Sequence, residues 1–301
     1  MKTETKKPKS FFAIFSLIMI SLIVLSILFI IFYLLSLSLV NYDKQIASTK
    51  YKDYTYLVVP NTFYIQNYLN AFEKLTLRNA PSIFTGIYSI SIWEQYLNTI
   101  LFAVGGGFVG ALSPCLVAYA TSNYNYKFNV FIDGLVLTVM VLPIVGATPA
   151  AVDMVYNVLH IDNSFFGLYF MCFGFTNMYY FMFKSAFLGI PKSLPEAAKL
   201  DGASDFTIFR VIMLPLIKTV FFAVFILMLV ARWNDYSHTL FYAPKMPTAA
   251  YGMFYLLVLD NNSMVTEKMA AAVVMTIPVL VLYITCNKFL MGNLTIGGVK
   301  G

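Results

Sequence analysis

Charged residues are scarce in this sequence. Of its 301 residues, 11% are charged and 59% are hydrophobic, whereas soluble domains carry about 25% charged residues. This composition excludes a soluble globular protein and indicates a chain that crosses a membrane several times. The net charge of +6 does not indicate nucleic-acid binding, because the basic residues are scattered over span ends and tails instead of sharing one helix.

Residues that build catalytic and metal centres are also few. The chain has only two histidines, His160 and His238, and three cysteines, each alone in an apolar run. This spacing indicates neither a zinc site nor a disulfide framework, and it predicts no catalytic residue and no metal ligand. The sequence also lacks the Gly-x-x-x-x-Gly-Lys-Ser/Thr loop that binds nucleotide phosphates. Energy from ATP would therefore have to come through a partner.

Long apolar runs, by contrast, are plentiful. They predict an all-α membrane protein with six transmembrane helices, at 11–40, 97–121, 128–152, 164–188, 216–232 and 269–290. The first run is too long for the apolar region of a signal peptide and is followed by no cleavage motif, so we expect an uncleaved span.

The segments between the runs give the domain organisation. Residues 1–10 are expected to be cytoplasmic, residues 41–96 to form an external segment, and residues 97–291 to form a five-helix core with an inner loop at 190–215. Residues 292–301 would then be a cytoplasmic tail. Lys and Arg are more frequent in the segments placed inside, which supports a multi-pass protein with both termini in the cytoplasm.

Two features inside the predicted spans have alternative interpretations. Gly105, Gly107 and Gly110 match the dinucleotide-binding fingerprint, but no strand precedes them, so close packing of helices is the better interpretation. Asp133, near the inner end of the third span, is either a proton-relay carboxylate or, as is commoner, a hydrated charge. Lys184 in the fourth span can extend its amine to the interface.

The most informative stretch is the polar run at 190–215. Ser193 and Glu196 have the spacing of a capping box, which predicts the start of a short helix. Gly202 suits the end of that helix, where a left-handed backbone is required. Ser204 can cap a second short helix that ends near Met213. The sequence therefore predicts a helix, a glycine turn and a second helix between two spans.

This run resembles the EAA motif of ABC importer permeases. The matching residues are Glu196-Ala197-Ala198, Asp201-Gly202-Ala203, Ile212 and Leu214-Pro215-Leu216, and they look like the carbohydrate branch of the MalG type. Ala118-Tyr119-Ala120, Trp233-Asn234-Asp235 and the C-terminal tail are also similar to signatures of that family. The resemblance covers the chain from about Asn67 to its end.

The resemblance implies a type I ABC importer permease fold and a transport subunit that is not itself an enzyme. It implies a bacterial cell membrane location and these partners: a paralogous permease, two ATP-binding subunits that hold ATP and magnesium, and an external solute-binding protein. The cargo would be a sugar or related carbohydrate. The alternatives are the same architecture importing an amino acid or phosphate ester, or a proton-coupled transporter. The last is disfavoured because every charge in a predicted span lies near a span end.

The resemblance also assigns residues to roles. Contact with the ATPase is expected at Glu196, Ala197, Ala198, Leu200, Asp201, Gly202, Ala203 and Pro215, and, in the tail, at Gly297, Gly298 and Lys300. Asn177, Tyr179 and Tyr180 are polar or aromatic residues of the fourth span that could line a path for a hydroxyl-rich solute; ordinary packing is the alternative.

Overall fold

The computed structural model describes residues 11–41, 63–78, 89–124, 126–142 and 147–294, with the backbone alone at 282, 283 and 286–294. The chain divides into two units, Met1–Lys74 with Asp260–Val274 and Leu75–Leu259 with Met275–Gly301. The prediction of a mainly α-helical chain is confirmed. The exception is a two-residue antiparallel ladder that pairs Leu77 with Ile90 and Arg78 with Ser89.

The elements follow in chain order. They are α1 Phe11–Ser38, α2 Gln66–Lys74, β1 Leu77–Arg78, β2 Ser89–Ile90, α3 Ile92–Asn123, α4 Asn129–Val141, α5 Ala147–Asp153, α6 Phe165–Cys172, α7 Met178–Leu188, α8 Ser193–Leu200, α9 Asp205–Thr207, α10 Leu214–Leu216, α11 Lys218–Trp233, α12 Ser237–Tyr242, α13 Ala249–Phe254 and α14 Val265–Leu294. π-Helical turns at Met154–Val158, Ile208–Met213 and Tyr255–Leu259 extend α5, α9 and α13.

In the first unit, α2 closes the end of the apolar helix α1. The last carbonyls of a helix have no partner within the helix. The Asn67 Nδ2 group donates to the carbonyls of Ser38 and Val40, at 2.9 and 2.8 Å. The Ser38 and Tyr68 hydroxyls lie 2.7 Å apart and share a further hydrogen bond. α2 therefore supplies the polar partners that the end of α1 needs.

In the second unit, α3 is the helix against which the others pack, and it contacts α6, α7 and α11. Its glycines lie at these contacts, as the packing interpretation predicted. A Cβ at Gly107 would lie 3.0 Å from the backbone nitrogen and 3.1 Å from the Cα of Leu229 on α11. Any side chain there would push the two backbones apart. The glycine pattern therefore permits a close helix crossing.

Two of the predicted spans are interrupted. The run expected at 128–152 is helical as α4 to Val141 and again as α5 from Ala147. The run expected at 164–188 is broken between α6 and α7. At this second break the backbone remains hydrogen bonded, because the Ser113 hydroxyl donates to the Gly174 carbonyl at 2.9 Å and the Asn177 side chain caps α7. Non-helical backbone inside protein is tolerated when its polar groups have such partners.

Helix lengths also differ from those expected. α3 begins at Ile92, within the segment assigned to the exterior, and α14 runs from Val265 to Leu294. In the described ranges, two unbroken helices, α1 and α3, are long and apolar enough to cross a membrane. The stretch Asp205–Leu216 forms a third with α11 if the pair, bent by 81°, is one span. These helices do not confirm the count of six spans, which stays a prediction.

Candidate coupling loop

The helix α8 starts differently from the capping box that the sequence predicted. Its N-cap residue is Lys192, with helical backbone angles and no side-chain cap, and Ser193 is already the first helical residue. A capping serine must be extended for its oxygen to reach the amides ahead. Here the chain turns earlier, because the Leu194 amide donates to the Pro191 carbonyl at 3.2 Å. The prediction of a capping box was therefore wrong, although the predicted helix forms.

The end of α8 confirms the role expected of Gly202. Its φ is +81°, the conformation that costs glycine least. The Gly202 amide donates to the Lys199 carbonyl and the Ala203 amide donates to the Ala198 carbonyl, both at 3.0 Å. This pair of bonds is a Schellman motif, which satisfies the last carbonyls of the helix and reverses the chain.

The second short helix is capped as predicted. Ser204 is extended, with φ −67° and ψ 155°, and its hydroxyl accepts from the Thr207 amide at 3.2 Å. The helix continues as a π-helical turn to Met213 and then through α10, which contains Pro215. After this stretch the chain bends by 81° and continues as α11. The loop at 190–215 is therefore a helix, a tight turn and a second helix, and it is called the hook below.

The outer side of the hook is exposed. Within the chain, Glu196, Ala197, Asp201 and Gly202 are all exposed, and no residue of α8 is buried. The Leu200 side chain is 90% exposed. Ala198 and Ala203, by contrast, pack against the core. The small residues of the motif thus let α8 lie close to the helices behind it, while Glu196 and Leu200 remain available to a partner.

The inner side of the hook is attached to the end of α3. Lys199 forms an ion pair with Asp205 at 3.1 Å, and its Nζ lies 5.0 Å from the ring centre of Tyr124, which follows α3. A hydrogen-bonding contact from the Tyr124 hydroxyl, and then one from Lys199, lower the pKa of Asp205 below its usual value. These contacts hold the two arms of the hook together and join them to α3.

Aromatic packing continues this attachment into the core. Tyr119, one turn before the end of α3, is 8% exposed. Its ring centre lies 4.9 Å from that of Phe209 in the π-helical turn, 5.5 Å from that of Phe187 on α7 and 6.1 Å from that of Tyr124. The alanine–tyrosine signature thus lies where α3, α7 and the hook meet.

The second family signature, Trp233-Asn234-Asp235, forms a turn after α11. Asp235 accepts hydrogen bonds from the amides of Ser237 and His238, which start α12, and lies 2.8 Å from Arg232 Nη1. Burial alone would raise the pKa of Asp235, but its hydrogen bond and charge interaction with His238 outweigh burial and lower the pKa. The motif therefore ends one helix and begins the next.

The three residues proposed for a substrate path have partners within the chain. The Asn177 side chain caps α7 by accepting from the Tyr179 amide at 3.0 Å, and Tyr179 packs against the core. Tyr180 is fully buried, and its hydroxyl bonds to Thr121 and Asp133. Their role in a path stays a prediction. The tail residues Gly297, Gly298 and Lys300 lie outside the described residues.

Sequence reasoning missed a polar pair. Asp133 and Lys184, interpreted as separate charges near span ends, form an ion pair with Nζ 2.6 Å from each carboxylate oxygen. The sequence did contain a signal, because the two residues have opposite charges and lie at the same expected depth in consecutive predicted spans. They can pair only if α4 and α7 are neighbours, and the positions of the residues in the sequence do not establish that.

An apolar, helical chain with an exposed loop between its helices agrees with the family that the comparisons identify. The chain belongs to the family described as the binding-protein-dependent transport system inner membrane component, whose model matches residues 5–292. Among its relatives is the arabinooligosaccharides transport system permease protein AraQ of Halalkalibacterium halodurans, 30% identical over 234 residues, which are 76% of this chain and 81% of the relative. Another is the melibiose/raffinose/stachyose import permease protein MelC of Bacillus subtilis, 26% identical over 217 residues, which are 70% and 77% of the two chains.

A solved structure has the same fold. It is a chain of a bacterial ABC transporter involved in the import of the acidic polysaccharide alginate, with a TM-score of 0.69 and 21% identity. The match covers 95% of this chain and 99% of that one. Together these comparisons confirm the permease fold and a transport subunit that is not an enzyme.

Proposed function

We propose that this chain is one of two membrane subunits of an ATP-driven importer, and that it translocates a neutral oligosaccharide delivered by an external binding protein. A paralogous permease would complete the path, and two ATPase subunits, holding ATP and magnesium, would supply the energy. The observation that carries the proposal is the hook: a helix that ends in a positive-φ glycine, has an exposed outer side and is joined to the core behind it.

The hook has the properties that a coupling element needs. The Schellman turn and the Ser204 cap fix the turn between its two arms, and the Lys199–Asp205 pair, whose side chains are exposed, adds a small contribution. The aromatic contacts of Tyr119 and Tyr124 pass the movement to α3 and α7. Closure of the ATPase pair would in this way tilt the helices between inward-facing and outward-facing states.

Two considerations support the carbohydrate class. The relatives at 30% and 26% identity are named for arabinooligosaccharides and for melibiose, raffinose and stachyose. In the described part of the second unit, Asp133 of α4 pairs with Lys184 of α7, and Arg232 of α11 pairs with Asp235 in the turn that follows. Lys218 at the start of α11 is exposed. Neutral hydroxyl-rich solutes need hydrogen-bonding and aromatic groups, not a net charge, for recognition.

The test is reconstitution of the complete complex in liposomes with its binding protein. We expect neutral oligosaccharides to stimulate ATP hydrolysis and to accumulate inside, and amino acids and phosphate esters to do neither. Omission of the binding protein is the control and should remove the stimulation. Stimulation and uptake with an amino acid or a phosphate ester alone would refute the carbohydrate assignment. Solute accumulation driven by a proton gradient without ATP would refute the importer itself.

A further inference from the structure

The helix α4 contacts the rest of the second unit through a narrow strip of its surface. Val136 is its one buried residue, and Phe131, Leu137 and Val141 are more than half exposed. The residues that face the protein are Asn129, Ile132, Asp133 and Val136, at the i, i+3, i+4 and i+7 positions of one helical stripe. Half of this strip is polar, so hydrogen bonds and charge contribute much of what holds α4 in place.

Asp133 is the centre of a polar network that joins three helices. Lys184 on α7 donates to both of its carboxylate oxygens at 2.6 Å, and the Tyr180 hydroxyl donates to Oδ1 at 2.7 Å. The Thr121 hydroxyl of α3 lies 2.8 Å from that of Tyr180. Thr121, Tyr180, Lys184 and Asp133 are called the α4 latch below.

The α4 latch is partly buried. Tyr180 is fully buried, and the Lys184 and Asp133 side chains are 17% and 32% exposed. The ion pair is therefore partly shielded from water and is screened less than a fully exposed pair. Removing one partner would leave the other charge without compensation in an apolar setting, which is costly.

The α4 latch lies beside the hook. Lys184 is about one helical turn from the end of α7, which leads into α8. Thr121 lies about one turn before Tyr124, which contacts Lys199 and Asp205 of the hook. The two helices that hold Asp133 are therefore the two on which a movement of the hook acts first.

We propose that Asp133 and Lys184 are positioning residues that make α4 move as one body with α7 and the hook during transport. The proposal rests on the ATP-driven function above and assigns to this pair a role in coupling. Without the α4 latch, α7 and α3 would follow the hook, while α4, held by its apolar contacts and by the two hydrogen bonds of Asn129, would follow less closely. ATP would then be hydrolysed without full opening of the path.

The direct test measures the distance between α4 and α7 in two states. Spin labels at Val130 and Leu188, whose side chains are 80% and 60% exposed, are placed in the complete complex after the native cysteines have been replaced. We expect the same distance distribution in the nucleotide-free and ATP-trapped complexes, and a distribution that changes between states in Asp133→Asn. A change between states in the otherwise unaltered complex would overturn the proposal.

A second measurement separates coupling from folding. In Asp133→Asn and Lys184→Met we expect solute transported per ATP hydrolysed to fall about tenfold. The exchange Asp133→Lys with Lys184→Asp should restore much of it. Lys218→Met, at an exposed cation that starts α11, is the control and should have no effect. The proposal would be overturned if the single variants transported a normal amount of solute per ATP. It would also be overturned if the exchanged pair transported no more solute per ATP than either single variant.

The two measurements also distinguish this inference from the proposed function. If the unaltered complex transports no solute with ATP, the proposed function fails. If it transports normally while the α4 to α7 distance changes with nucleotide state, the proposed function stands and the α4 latch does not act as proposed.

Discussion

At the scale of single residues, Gly202 is required for two reasons: the backbone of the turn, and the space in front of the hook. Its positive φ is required by the turn, so any residue with a Cβ adds about 1 kcal/mol of strain. A Cβ there would meet no atom of the chain within 4 Å. A side chain at 202 therefore extends into the space in front of the hook, where a partner would dock.

We predict that the Gly202→Asp protein reaches the membrane in normal amounts, because the added backbone strain is small. It should abolish uptake, because the added bulk and charge lie where the ATPase would dock. The measurements are co-purification of the ATPase and solute uptake at matched membrane levels. Gly202→Ala is the control, since it has the same backbone strain without the charge and with little bulk, and it should retain uptake. Normal uptake by Gly202→Asp would show that this loop is not the coupling element.

At the scale of elements, the crossing of α3 and α11 depends on the absence of a side chain. The backbone of Leu229 lies so close to Gly107 that a methyl group can be accommodated only if one helix moves. Backbone, unlike the tip of a long side chain, cannot turn away. The stripe of small residues in α3 thus determines how closely the central pair of helices packs.

We predict that Gly107→Ala destabilises the second unit by about 1–3 kcal/mol through overpacking. The measurement is the thermal unfolding temperature of the purified complex in detergent. Gly134→Ala, on the open side of α4, is the matched control and should leave that temperature equal or slightly higher, because alanine favours helix. Equal temperatures for Gly107→Ala and the unaltered protein would contradict the close crossing.

At the scale of the whole molecule, the orientation across the membrane follows from the hook. If the hook meets ATPase subunits and the chain has the six predicted spans, residues 190–215 and both termini lie in the cytoplasm and residues 41–96 lie outside. The greater number of Lys and Arg in the inner segments agrees with this assignment.

We predict that, in intact cells, an impermeant thiol reagent labels a cysteine at position 48 and does not label one at position 204. The starting protein has its native cysteines replaced, and labelling of both positions in opened membranes is the control for reactivity. Labelling of position 204 but not of position 48 from outside would show the opposite topology, with the hook on the side away from the ATPase.

Much of the hook could be predicted because its signals are local. A glycine four residues after the end of the Glu-Ala-Ala run and a serine two residues later define a turn and a cap whatever surrounds them, and Gly202 and Ser204 behave as predicted. The capping box at Ser193 was wrong for a local reason as well, since the turn after Pro191 starts the helix early. Two neighbouring positions, 191 and 193, could each start the helix, and the sequence alone does not show which of them does.

The breaks in the helices could not be predicted from hydrophobicity. The residues between α6 and α7, 173–177, carry no charge and include two phenylalanines, so the whole run was interpreted as one span. Whether such a run stays helical depends on partners for its backbone, here Ser113 of α3, which lies 61 residues from Gly174. That partner is brought near only by the packing of the helices.

By itself, the sequence determined the class of protein, the helical content, the family motif and the turn at Gly202, because each depends on composition or on residues a few positions apart. Only the tertiary structure decided which helices are broken, that Gly107 lies against Leu229, and that Asp133 is paired with Lys184 at a separation of 51 residues. Such contacts arise when helices distant in the chain pack side by side, and the free energy of that packing depends on the whole arrangement of helices.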